Sequence, residues 1–429
     1  MKGSALYQRS LAIKALMAIG VAAIALFVGV TLYQRLKGRL EYPPGPDQEE
    51  YLAAGVSFIE HFVFFWKSPV YSLWLGIFYI LSGNNLEICF YLEKTVSVML
   101  MSGSVGYFGW RLFDSRTGIL LGVWVLNCKY LLSEHNNSHT LAACLFVAGA
   151  LCLFLPNQNA RVPVLLLLLF LSAQVRAEMW LPLLGVVVYL AATSLRLRAK
   201  PVSFKRLVTA QAAKYWISCG AVAAVLIVLF SLRQGSENKY DLINEAFAQN
   251  YGANYADRYN LSAQYPNPWG AGHEIMAKAM PGATTLIGAI TQYPSATLEH
   301  ILYNVRISIR AFPAASLGMD QPAMMAVLLA LYVASFVFWK RPISYLQRWD
   351  ALPEESRRLL IVWASASALL ILNTYIFRVA ARYYIQLIPA QLMLIAFALR
   401  AVMNKVRWRM YNAARVEQAT ASGSVEAER

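Results

Sequence analysis

Charge is what this sequence has least of. Of its 429 residues only 14% are Asp, Glu, Lys or Arg, while 58% are hydrophobic. A soluble domain carries about 25% charged residues, so a fold solvated by water on all sides is excluded and lipid is the expected solvent. Histidine is scarce as well, with five in the chain, and none is spaced with cysteine as a zinc site would need. Cys89, Cys128, Cys144, Cys152 and Cys219 lie in or beside apolar stretches without CxxC spacing, which reads as core and not as disulfide or metal chemistry. No internal repeat is visible. No sugar-nucleotide motif stands among the segments expected inside, which argues against a cytoplasmic nucleotide-sugar donor. A continuous basic face is also missing: the net charge of +15 is spread in short Lys and Arg clusters between apolar windows, a pattern of membrane topology and not of nucleic-acid binding.

What is abundant is apolar sequence. A helix needs roughly 17 to 25 apolar residues to cross about 30 Å of hydrocarbon, and about ten windows approach that length. They run from Ala15 to Tyr33, Ile88 to Gly109, Gly118 to Leu132, Thr140 to Leu155, Val162 to Ala173, Trp180 to Leu195, Tyr215 to Leu232, Pro322 to Trp339, Leu359 to Ile376 and Tyr383 to Met403. The expected fold class is therefore all-α and polytopic. The first window follows Lys2, Arg9 and Lys14 like a signal sequence, but Gln34-Arg35-Leu36-Lys37 after it offers no cleavage site, so an uncleaved anchor is expected. Pro43 to Pro46 then stop the helix, and Phe58, Phe62, Phe64, Phe65 and Trp66 suit an interfacial helix. Pro69 to Ser82 is apolar but short and bounded by Pro69 and Gly83, so it reads as interfacial or re-entrant.

With the N-terminus inside, Arg111 and Arg116, then Arg161, then Arg196 to Arg206, then Lys340 to Arg358, and finally Lys405 to Arg415 all fall on the cytoplasmic side. Arg35, Lys37 and Arg39 run against this orientation; the later, denser clusters agree with one another and decide it. The chain then divides into a membrane half, 1–232, with an acidic first outer loop at 40–83; an outer loop, 233–317; membrane helices, 318–404; and a cytoplasmic tail, 405–429, expected to be disordered.

Chemistry-bearing residues collect on the outer side. Asp47, Glu49 and Glu50 follow the first span. They can supply a general base or simply complement the dipole of a helix start. Arg176 and Glu178 interrupt an otherwise apolar run, where Arg can neutralise a phosphate or the two can cap a tight hairpin. Arg378, Arg382, Tyr383 and Tyr384 open the last span, as phosphate and sugar contacts or as an aromatic belt with snorkelling Arg. His61 lies in the first loop. Glu134, His135, Asn136, Asn137 and His139 crowd a short turn that can hydrogen-bond a sugar or hold a divalent metal; without a third ligand the polar turn is favoured. The segment Glu245 to Tyr251, then Tyr265-Pro266-Asn267-Pro268-Trp269 and Gln292-Tyr293-Pro294, has the aromatics and amides of a sugar acceptor site.

Taken in order, Asp47 to Tyr51, Lys67-Ser68-Pro69-Val70-Tyr71, Val175-Arg176-Ala177-Glu178 and Ala381-Arg382-Tyr383-Tyr384 with Pro389 resemble the motifs of the membrane-embedded GT-C glycosyltransferases. That superfamily includes the dolichyl-phosphate-mannose protein mannosyltransferases and the aminoarabinose lipid A transferases. Ser68 stands where the first proline is usual, and Ala177 replaces the proline beside Arg176. The resemblance covers the pattern of about the first 195 residues and is looser beyond. It implies a GT-C-type fold and transfer of a hexose or pentose from a polyprenyl-phosphate donor to a protein, lipid or glycan acceptor outside the cytoplasm, with the protein in the inner membrane of the cell. It makes Asp47 the base with Glu49 or Glu50 as its understudy. Arg176, Arg378 and Arg382 become the phosphate ligands, and His61, Glu134, His135, Glu178 and Tyr383 candidates for the sugar or acceptor. It demands no cofactor, leaves room for a divalent metal, and involves no nucleic acid. A transporter or lipid-linked sugar flippase is the alternative from another class, though no matching halves are seen. A polysaccharide polymerase or ligase is the nearer rival and needs no acidic base beside the first span.

Overall fold

A computed structural model describes residues 29, 33, 46–61, 68–129, 131, 138–198, 210–231, 239–318, 322–337, 352–377 and 381–426. Among them every regular element is helical. In chain order they are α1 (Pro46–His61), α2 (Pro69–Leu81), α3 (Leu86–Leu112), α4 (Ser115–Leu126), α5 (Ser138–Cys152), α6 (Gln158–Val175), a 3-10 turn (Ala177–Met179) and α7 (Trp180–Arg198). After α8 (Ala210–Ser231) come α9 (Lys239–Arg258), α10 (Gly272–Ala279), α11 (Leu286–Gln292) and α12 (Pro294–Leu317). The chain closes with α13 (Pro322–Val337), α14 (Glu354–Ser367), α15 (Leu369–Ile376), a second 3-10 turn (Ala381–Leu387) and α16 (Ile388–Glu426).

Helix starts follow from local chemistry. Ser68, Asn85, Asp114, Asn157 and Thr285 each accept a backbone N–H of the first turn that follows, satisfying a donor that the helix itself leaves orphaned. Pro69 sits at the first position of α2, where its missing N–H costs nothing. Small residues let helices touch. A Cβ on Gly118 would lie 2.6 Å from the Gly106 carbonyl oxygen, so α3 and α4 pack backbone to backbone. A Cβ on Gly55 would lie 2.0 Å from the Ser72 oxygen, which fixes α1 against α2. The core between these helices is closed by Trp363 of α14, which stacks on Phe146 at 4.6 Å, meets Phe108 edge-on at 5.5 Å, and donates its indole N–H to the Phe146 carbonyl at 3.1 Å.

Among the described residues, four helices are long and apolar enough to cross a membrane: Leu86–Leu112, Gln158–Val175, Glu354–Ile376 and Tyr384–Val406. Six more apolar helices are shorter: Pro69–Leu81, Ser115–Leu126, Ser138–Cys152, Ala177–Thr193, Ala212–Val228 and Met325–Ala334. Of the ten expected windows, four coincide with helices of span length and five with the shorter ones, while the sixth shorter helix, Pro69–Leu81, is the segment expected to be interfacial or re-entrant. The first expected window lies outside the described residues except for 29 and 33. Leu86–Leu112 and Gln158–Val175 are longer than their apolar windows, because polar residues such as Asn157 and Asn85 cap them from beyond the apolar run. The window from Gly118 ends early, at Leu126, where Asn127 terminates α4.

Within the expected outer loop at 233–317, the described residues from 239 on form α9 to α12, a helical layer whose own core includes Phe247, Tyr251, Met276 and Met280. One expectation is corrected. The tail beyond 404 is not irregular: α16 continues to Glu426, its alanine-rich end keeping the helix going.

Candidate active site

The contacts of α1 with α2 run in one direction. Tyr51 meets Tyr71 with ring centroids 5.0 Å apart, Gly55 abuts Ser72, and Ile59 abuts Gly76. The acidic start of α1 and the N-terminus of α2 therefore share one end of the bundle. At that end the Ser68 hydroxyl donates to the Gln174 carbonyl at 2.7 Å, which joins the start of α2 to the last turn of α6. The Ser172 hydroxyl donates to the Ala142 carbonyl at 2.8 Å and joins α6 to α5. The Ala177–Met179 turn follows directly, and the start of α5 and the Ala381–Leu387 turn close around it.

Glu178 is the hub. Its Oε1 accepts from Arg176 Nε at 2.9 Å and from Gln386 Nε2 at 3.0 Å, and lies 3.6 Å from His139 Nδ1. Gln386 Nε2 also lies 3.1 Å from His139 Nδ1, so one edge of the imidazole faces both the amide and the Glu178 carboxylate. Glu178 keeps 11% of its side chain accessible and Arg176 20%, so the ion pair faces outward over a floor made by buried His139 and Gln386. The Gln386 Oε1 atom is buried and has no hydrogen-bond partner among the described residues, an acceptor that a water or a ligand hydroxyl satisfies. The arrangement can hold a cation at a fixed angle and offer an imidazole and an amide oxygen beneath it.

The expected site residues divide as follows. Arg176 and Glu178 are together. Asp47 begins α1 at this same end, one turn before Tyr51, and its side chain lies outside the described residues. Glu49 and Glu50 are exposed on that first turn. His61 is at the opposite end of α1, about 20 Å along the helix axis, exposed and 3.7 Å from Glu60. Arg382 and Tyr383 belong to the second 3-10 turn, with side chains outside the described residues; Arg378, Glu134 and His135 lie outside them altogether. Tyr384 is fully buried, its hydroxyl 3.2 Å from Thr374 Oγ1 and its ring 5.5 Å from Phe312, so it packs the turn in place. Among the described residues no three His, Cys, Asp or Glu side chains gather as a metal site would.

Several participants escaped the sequence reading. Gln386 gave no signal, being a polar residue at the edge of an apolar window. His139 stood out only as one of a polar crowd. Glu93 and Lys94 are buried in the first half of α3, with the Ser97 hydroxyl donating to Glu93 Oε1 at 2.8 Å. Their signal was present, since ionisable residues inside a span are functional candidates.

The lead into the second 3-10 turn is anchored from the helical layer. Asn304 Nδ2 donates to the carbonyls of Tyr375 at 2.8 Å and Phe377 at 3.1 Å, and its Oδ1 accepts from Asn254 at 2.7 Å. Asn254 also reaches His300 Nδ1 at 3.3 Å, and His300 Nε2 meets the Ile376 carbonyl at 2.9 Å. Every amide hydrogen of both asparagines is used, which makes this a saturated buried node. Asn304→Ala leaves buried carbonyls short of donors at about 1–3 kcal/mol each. The expected result is a lower melting temperature and faster backbone hydrogen exchange across residues 375–387, with exchange in α3 unchanged.

No family model, curated protein or solved structure matches this chain.

Proposed function

We propose that this chain is a GT-C-type glycosyltransferase of the membrane, with about ten crossings, moving a sugar from a polyprenyl-phosphate donor to an acceptor on the non-cytoplasmic face of an inner membrane. One observation carries the reading. The Arg176–Glu178 ion pair, buried at one side by His139 and Gln386, is tied through Gln174 and Ser68 to the end of the bundle where α1 begins with its carboxylates. Sugar transfer needs just these two charges near each other. The acceptor hydroxyl oxygen attacks the anomeric carbon, the bond from that carbon to the phosphate oxygen breaks, and its electron pair leaves on the lipid phosphate. The proton of the hydroxyl passes to a carboxylate, assigned to Asp47 with Glu49 or Glu50 as its substitute.

Arg176 stabilises the charge growing on the phosphate, and Arg378 and Arg382 are assigned the same task. Glu178 acts through Arg176: its oxygen fixes the guanidinium so that no reorganisation is needed as the charge develops. It is therefore a positioning residue and not a sugar contact. His61 has no role in this reading, being exposed far along α1.

The test is to incubate the purified protein in lipid with labelled polyprenyl-phosphate sugars and a membrane extract as acceptor. Transfer of label to the extract is the expected result. Movement of intact donor across the bilayer without transfer replaces this reading with the flippase.

A further inference from the structure

The helix α12 is built inside out. Thr297, His300, Asn304 and Ser308, at the spacing of one helical face, are buried, and each is hydrogen-bonded. The opposite face carries Leu298, 54% exposed, Leu302, 57%, and Ile309, 71%. A helix facing water has the reverse order. Beside it, Ile287 and Ile290 of α11 are exposed as well. Between the two helices an apolar cleft of about 260 Å³ opens, lined by Phe247, Leu286, Ile290, Leu298, Ile301 and Ile376. Thr297 is its polar member, and its hydroxyl is already spent on the Ala289 carbonyl at 3.0 Å. Nothing in the cleft offers a polar ligand a partner.

The level of the cleft is set by its last lining residue. Ile376 ends Glu354–Ile376, one of the helices long and apolar enough to cross a membrane. The cleft thus opens beside the end of that apolar helix. Arg306 and Arg310 are exposed along the border of the aliphatic stripe of α12, where long side chains can carry their charge toward a polar surface.

We infer that the α11–α12 face is seated in the bilayer and that its cleft holds a hydrocarbon chain of a membrane phospholipid. An apolar cleft and stripe of this kind are stabilised when hydrocarbon replaces water against them. This inference is independent of sugar transfer and requires only that the chain is embedded in lipid.

The experiment uses the full chain in vesicles of phosphatidylethanolamine and phosphatidylglycerol doped with a phospholipid whose acyl chain carries a photoreactive diazirine, with adducts mapped by mass spectrometry. Adducts on Ile290, Leu298 or Ile301 are expected, falling at least fivefold in Ile290→Trp, which fills the cleft; Ile301→Trp serves as a second filling variant if the first melts early. Adducts confined to Leu86–Leu112 and the other long apolar helices, with none on α11 or α12, overturn the inference. Adducts on Leu298 that persist undiminished in a folded filling variant overturn occupancy of the cleft.

Discussion

Replacing Arg176 with alanine should abolish most sugar transfer while leaving a chain that still inserts into membrane. Removing one preorganised group that stabilises developing charge costs about 10²–10³ in kcat. The loss has a second component, since Glu178 keeps only 11% of its side chain accessible and would lose its closest cation, which lowers stability too. Arg176→Lys separates the two. The ammonium restores charge beside Glu178 but not the planar fork that the Nε contact orients, so the melting temperature should recover more than the rate. Glu178→Gln should act in the same sense at smaller size, because the guanidinium remains and only its angle is released. Equal recovery of rate and stability in Arg176→Lys would make the turn a structural hinge without a part in transfer.

The largest effect on stability is expected far from this site. Arg400 of α16 is 1% exposed and donates to Asp114 Oδ2 at 2.6 Å and to Thr117 Oγ1 at 3.1 Å. Thr117 Oγ1 in turn lies 3.0 Å from the Tyr332 hydroxyl. This knot binds α4, α13 and α16, and the same Asp114 caps α4. Arg400→Ala strands the carboxylate and should cost about 3–5 kcal/mol, read as a fall in melting temperature in detergent. The double replacement Asp114→Asn with Arg400→Met should regain much of it, since removing both partners leaves no stranded charge.

The pH dependence has a definite sign. Burial pushes the Asp114 carboxyl upward, but its hydrogen bond from the Thr117 backbone and the Arg400 guanidinium outweigh this and hold it below the usual carboxylate range. A carboxyl lowered in the folded state contributes stability that is complete above its unfolded value and is lost as pH falls through the folded one. The wild type should therefore lose stability on acidification below about pH 4, and Arg400→Ala should lose less over the same window.

How much of this was legible depended on distance along the chain. The Arg176–Glu178 pair was visible because its partners are two residues apart and stand alone in an apolar run. The closure of the site by Gln386 on His139 joins residues 247 apart, and the Arg400–Asp114 bridge joins residues 286 apart; single-sequence spacing carries no information at that range. The apolar windows from Ile88 and Gly118 were legible, while the caps that start their helices, Asn85 and Asp114, came only from the structure. Periodicity alone shows that Thr297, His300, Asn304 and Ser308 share a face, but not whether that face meets water or protein; in the structure these polar residues are buried and the aliphatic Leu298, Leu302 and Ile309 are exposed.

The most direct test of the central claim compares wild type with Asp47→Asn in the labelled-donor transfer assay, with melting temperature and vesicle insertion measured in parallel. The account predicts transfer in the wild type and its loss, by at least about 10²-fold, in a variant that melts and inserts normally. Full transfer by a normally folded Asp47→Asn would contradict it and remove the carboxylate at the start of α1 from the chemistry.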